Sequence, residues 1–144
     1  MLNKVVGTWR LVSAQLDPQG LNSPLYGPEP SGILLFTADY HFAVIVHNPH
    51  VPAFAGGSPG QGTAAENQAA VAGSLGLYGT YQVDEQGEFF SEVVLGSTFP
   101  NWNGLARTRQ QLTETVTGDQ MLERLTDPGS PLIELVWQRA VPLA

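Results

Sequence analysis

Arg109, Tyr81 and Glu92 are the side chains here whose type and spacing could move a proton or hold a developing charge. The segment Leu105–Val116 alternates Arg107, Arg109, Gln111 and Thr113 on one face with Ala106, Thr108, Gln110 and Leu112 on the other. With the arginine face inward, Arg109 could grip a carboxylate or enolate through two parallel hydrogen bonds. With it outward, these are paired edge arginines. Tyr78 and Tyr81 fall on opposite faces of one strand, so one phenol points inward and can donate to a carbonyl. Tyr81 and Arg109 are therefore the candidate catalytic residues. On the next strand Phe89, Ser91, Val93 and Leu95 share a face opposite Glu88, Phe90, Glu92 and Val94. Strict alternation places the apolar set inside and Glu92 in water; the other parity would make Glu92 a buried acid or base with a raised pKa.

Other motifs fail on their own chemistry. Gly56-Gly57-Ser58-Pro59-Gly60 has the spelling of a nucleophile elbow, but the residue after Ser58 must supply a backbone N–H to an oxyanion, and Pro59 has none. Gly60-Gln61-Gly62-Thr63-Ala64-Ala65 has dinucleotide spacing, yet no strand feeds it and hairpins surround it. His47 and His50 are half a zinc site at most, since such a site needs at least three protein ligands. His41 and His47 lie ~20 Å apart along one strand. With no cysteine in the chain, disulfides and thiolate chemistry are excluded. The expectation is no metal and no cofactor.

The elements that must position these residues are strands. Apolar alternation and turn residues mark eight: Gly7–Leu16, Gly32–Phe36, His41–His47, Tyr78–Val83, Glu88–Leu95, Leu105–Val116, Gln120–Leu125 and Leu132–Arg139. Thr63-Ala64-Ala65-Glu66 is a capping box opening one short helix between strands three and four. The long loops 17–31 and 50–62 are rich in Pro and Gly, as lids and binding loops are. No repeat or linker divides the 144 residues, so one domain is expected over 1–144. Eight antiparallel strands hide their edges best by closing into an all-β barrel, whose interior has room for side chains or one small ligand.

Six Lys and Arg against thirteen Asp and Glu give a net charge of −7. Without basic clusters the chain is a poor partner for nucleic acid or an anionic membrane surface. No apolar run approaches the ~18 residues of a membrane span, and no secretory h-region follows Lys4. A cytoplasmic protein is the expectation.

Gly7-Thr8-Trp9 on the first strand and Trp137-Gln138-Arg139 on the last, with Gly27-Pro28-Glu29-Pro30-Ser31-Gly32 before Ile33-Leu34-Leu35-Phe36 and the loop Phe99-Pro100-Asn101-Trp102-Asn103-Gly104, resemble the lipocalin-like domain family of bacteria and fungi. The resemblance runs from about Gly7 to Arg139. It implies a calycin-type eight-stranded barrel in which Arg139 covers Trp9 and seals one end, a contact that a guanidinium over an indole face favours. That family often has His in the strand before the Pro-Asn-Trp loop; this strand has Glu92 and no His.

For such a barrel the inward lining expected is Phe42, Val44, Val46, Phe89, Val93 and Leu95, joined by Trp9, Leu11, Ile133, Leu135 and Trp137. Phe99, Asn101 and Trp102 stand at the mouth and complete the ligand-binding set. The expected function is binding of a small, mostly apolar molecule and its cofactor-free isomerisation or cyclisation in specialised metabolism, the alternative being a passive carrier or sensor. An outer barrel face could pair two copies as a homodimer.

Overall fold

Ten strands form one antiparallel sheet in the computed structural model, which describes residues 2–143. They are β1 (Gly7–Leu16), β2 (Ser23–Pro24), β3 (Ser31–Phe36), β4 (His41–His47), β5 (Ser74–Val83), β6 (Phe89–Ser97), β7 (Ala106–Thr108), β8 (Leu112–Thr117), β9 (Gln120–Leu125) and β10 (Ile133–Arg139). The order β7-β6-β5-β4-β3-β1-β10-β9-β8 wraps the sheet into a nearly closed barrel, with β2 paired to β1. The two strands beyond the expected eight have local causes. Two residues of the first long loop pair with β1. The expected sixth strand breaks at residues 109–111, where Gln111 N–H donates to the Thr108 carbonyl in a turn. The two pieces, β7 and β8, form no ladder with each other, so the barrel has one seam.

The helix α1 (Ala64–Ala72) lies between β4 and β5, with the capping box in place. Thr63 Oγ1 accepts from Glu66 N–H, and the Glu66 carboxylate accepts from Thr63 N–H. The turn from β5 to β6 is held by Asp84, whose Oδ1 accepts from Gln86 and Glu88 N–H, while Gly87 takes a φ of 82° that other residues rarely adopt. No helix of the described residues is long and apolar enough to cross a membrane.

One end of the barrel is filled by side chains. Val5, Trp9, Phe36, Tyr81 and Phe89 are buried there, with the Phe36 and Tyr81 rings edge to face at 4.8 Å. Arg139 lies 4.2 Å over the Trp9 ring and donates to the Val6 carbonyl at 2.9 Å, tying the last strand to the start of the first. Trp9 Nε1 donates to the Val5 carbonyl, so its one polar group is satisfied inside.

A bulge in β6 reverses the parity read from the sequence. Val83 pairs with Phe89 but Gln82 pairs with Ser91, so Phe90 is an extra residue. Phe89 is inside by simple alternation; beyond the bulge the inward residues are Glu92 and Val94, while Val93 (40% exposed) and Leu95 face outward. The expected lining residues Val93 and Leu95 are therefore corrected to the outer surface, and Glu92, expected in water, is inside.

Candidate functional site

Above the filled end the barrel keeps a cavity of about 80 Å³. Its walls are mostly apolar, among them Leu34, Phe36, Phe42, Val44, Leu112 and Trp137, but four charged side chains project into it: Glu92, Arg107, Glu114 and Glu123. Each comes from a different strand near the seam. Glu92 on β6 stands opposite Arg107 on β7, and Glu114 on β8 stands opposite Glu123 on β9. The sheet thus delivers two facing pairs, one of opposite and one of like charge.

Arg107 is held on three sides. Its Nη1 donates to Glu92 Oε2 at 3.3 Å, and its Nη2 and Nε donate to the two carboxylate oxygens of Asp127 at 3.0 and 3.4 Å. The guanidinium also stacks 4.5 Å from the centre of the Trp102 ring. A buried arginine so partnered is fixed in place.

The carboxyls are perturbed by their surroundings. Burial pushes Glu92 up to about 7; Arg107 opposes this, and the charges of Glu123 and Asp127 add to it. Burial, followed by the charges of Glu123 and Glu92, holds Glu114 well above the ordinary carboxylate range. Glu123 is also raised by burial, though hydrogen bonds from Trp137 and Glu114 and the charge of Arg107 pull it back. Trp137 Nε1 donates to Glu123 Oε1 at 2.8 Å. The hydrogen bond between the two carboxyls raises Glu114 and lowers Glu123, so of the pair Glu114 is the one that holds its proton more strongly. Its Oε2 is buried and receives no hydrogen bond from any donor among the described residues. Tyr26, on the same wall, is raised by burial and by Glu123.

Tyr26, Leu75 and Trp102 line both this cavity and an open recess of about 550 Å³ outside it, whose other walls are residues 70–72, Ser74 and the segment Thr98–Pro100. These three side chains form the partition between barrel and solvent. Trp102 ends a short 3-10 turn, η1 (Pro100–Trp102), with Phe99 packed edge to face at 5.3 Å. Asn103 Oδ1 accepts from Ser97 N–H at 2.7 Å and pins that turn to the end of β6.

The residues singled out in the sequence separate accordingly. Phe42, Val44 and Trp102 line the cavity. Phe89 is buried in the filled end rather than on the cavity wall. Phe99 faces the outer recess, and Asn101 is exposed on η1. Tyr81 points inward but away from the cavity: its hydroxyl donates to the Thr37 carbonyl at 2.6 Å and accepts from Asn3 Nδ2 at 2.9 Å. Arg109 is on the outside of the break between β7 and β8. There it pairs with Asp84, donates to the Phe89 carbonyl and lies over Phe90. Neither candidate catalytic residue reaches the cavity, because the parity that carried Arg109 inward presumed an unbroken strand.

Arg107, Glu114 and Glu123 were not singled out by the sequence reading as a site, although a signal for two of them is there. Leu112-x-Glu114-x-Val116 and Met121-x-Glu123-x-Leu125 place a glutamate in the middle of an apolar face on each arm of one hairpin. An acid at such a position is either a disrupted core or a functional group.

Over residues 6–140 the chain matches the sequence profile described as Lipocalin-like domain. No curated protein matches it. Among solved structures it is similar to a de novo designed fluorescence-activating β-barrel, with 13% identity over 95% of this chain and 94% of that one and a TM-score of 0.47. It is also similar to a mutant of the fluorescent protein UnaG, with 11% identity over 96% and 98% of the two chains and a TM-score of 0.43. The match over nearly the whole length, on a barrel whose first and last strands are tied by Trp9 and Arg139, shows that the chain belongs to the lipocalin-like domain family.

Proposed function

We propose that this barrel binds a small, mostly apolar molecule in its cavity and isomerises or cyclises it without a cofactor, with Glu92 carrying the proton. The observation behind this reading is a set of three carboxyls and one fixed guanidinium projecting into an otherwise apolar cavity. A purely structural core would gain nothing from isolating acids there, since each costs desolvation. A carboxyl near 7 is present in both protonation states at neutral pH, which is what a group that takes and returns a proton requires. Glu92 would remove a proton at one position of the substrate and return it at another. The atoms balance, and no oxidant is needed. Glu114, buried beside Glu123, is pushed toward its protonated form, and surroundings of this kind can assign acid and base roles to different carboxyls. The apolar walls would hold the reactive conformer.

The cavity is small beside the ~300 Å³ and more of drug-sized pockets, so a larger substrate requires Trp102 and Tyr26 to swing outward. The test is native mass spectrometry of protein from its producing cells, identification of the bound molecule, and an assay of its conversion by wild type and by Glu92→Gln. Turnover by the wild type that Glu92→Gln abolishes, with binding kept, supports the reading. Binding with no turnover by either makes the protein a carrier. Equal turnover by both removes Glu92 from the mechanism.

A further inference from the structure

The cavity's polar groups do not match in kind. Acceptors are plentiful: Glu92, Glu114 and Glu123 all face it, and Asp127 stands behind Arg107. The strong donors are largely committed. Arg107 gives three of its five N–H groups to Glu92 and Asp127 and stacks on Trp102, and Trp137 Nε1 is engaged by Glu123, which leaves three carboxyls facing few remaining donors. Glu114, 6% exposed, has another carboxyl as its only hydrogen-bond partner among the described residues, and its Oε2 has no donor. The missing complement is thus a donor and, given more acids than bases, a cation.

We infer that the cavity takes a small amine with a compact apolar body, its ammonium group seated on the Glu114–Glu123 pair. This rests on the binding reading above and names the chemical class. An ammonium carries three N–H donors and no acceptor, the inverse of what the wall presents. The surrounding rings of Phe36, Phe42 and Trp137 suit an aliphatic or aromatic body and favour a cation near their faces. An anionic ligand would meet three carboxyls with Arg107 already neutralised. A neutral carbonyl would find Trp137 Nε1 occupied and would leave the carboxyl pair without a donor. Nor do three acidic or histidine side chains of the described residues converge closely enough to hold a metal ion. The charged groups on the cavity wall beside the pair are Glu92 from β6 and Arg107 from β7, with Asp127, from the segment after β9, behind Arg107 and the Tyr26 phenol on the same wall. When an ammonium docks, the proton that Glu114 shares with Glu123 is no longer needed and leaves to solvent.

The experiment is calorimetric titration of the intact chain at pH 7 with cyclohexylamine, cyclohexanol and cyclohexanecarboxylate, three probes sharing one body, in two buffers of different ionisation heat. The amine should bind about tenfold or more tightly than the alcohol and release about one proton per molecule bound; the carboxylate should not bind. Glu114→Gln should cost the amine about tenfold and lose the proton release, while the alcohol's unchanged affinity shows the variant is folded. An alcohol that binds as well as the amine, or a carboxylate that binds better, overturns the amine assignment and leaves the binding reading standing. If none of the three binds, the binding reading falls and takes the amine with it.

Discussion

Glu114 and Glu123 face each other directly across β8 and β9, with both carboxyls inside the same apolar cavity. Two ionised acids in that position repel strongly, so the folded chain keeps a proton that the unfolded chain would release. Their pKa values, and that of Glu92, are raised above the unfolded value, so the native state binds more protons between about pH 4.5 and 7. Stability therefore falls as pH rises through that window. The Glu92 shift alone, from 4.5 to about 7, corresponds to at most about 3 kcal/mol. Urea unfolding at pH 5 and pH 8 should show the lower midpoint at pH 8, and Glu114→Gln should narrow the gap. A midpoint that rises from pH 5 to 8 would show that these acids ionise freely in the fold.

Among the described residues Arg107 is the one cation paired with Glu92 and Asp127. Removing one partner of a buried ion pair leaves a charge uncompensated, at a cost of ~3–5 kcal/mol. Arg107→Met should show a loss of that order in urea unfolding at pH 8, and adding Glu92→Leu should recover part of it. If the double variant is no more stable than the single one, the coupling between the two strands lies elsewhere.

How far these residues can be read from sequence depends on where alternation survives. Trp9 and Arg139 are legible because they pair directly, in a stretch of the β1–β10 ladder that keeps its register, before the shift between Leu11 and Ser13. Phe42 and Val44 are legible for the same reason: β4 pairs with β3 and β5 without a register shift. Parity failed where the backbone stops alternating. The bulge at Phe90 moved Glu92 in and Val93 out, and the turn after Thr108 separated Arg107 from Arg109. A bulge depends on cross-strand hydrogen bonding between residues distant in sequence, so one strand's own pattern does not announce it. Glu114 and Glu123 are a different case. Their positions within apolar faces are visible, but the meaning of the placement appears only when β8 and β9 are paired.

Tyr81 and Arg109 lie off the cavity wall and make contacts that hold the fold. Tyr81→Phe removes the hydrogen bonds to Thr37 and Asn3 at the filled end and should cost about 1–2 kcal/mol in urea unfolding. It should leave cyclohexylamine binding unchanged. Arg109→Ala, which breaks a half-exposed pair with Asp84, should cost about 1 kcal/mol or less. A loss of amine affinity in Arg109→Ala would place that residue at the cavity after all.

Trp102 is both a wall of the cavity and the partition against the outer recess, and it shields Arg107 by stacking on it. Truncating it joins the two spaces. In Trp102→Ala, cyclohexylamine should enter and leave faster, by about tenfold in each direction, since the side chain that must move aside is gone. Affinity should change much less, because the carboxyl pair that seats the ammonium comes from β8 and β9 and does not depend on η1. Stopped-flow mixing followed by Trp137 fluorescence reads both rates. Unchanged rates would mean that the ligand enters by another route, for which the seam between β7 and β8 is the next place to test. A large loss of affinity with unchanged entry would instead make Trp102 part of the binding surface itself.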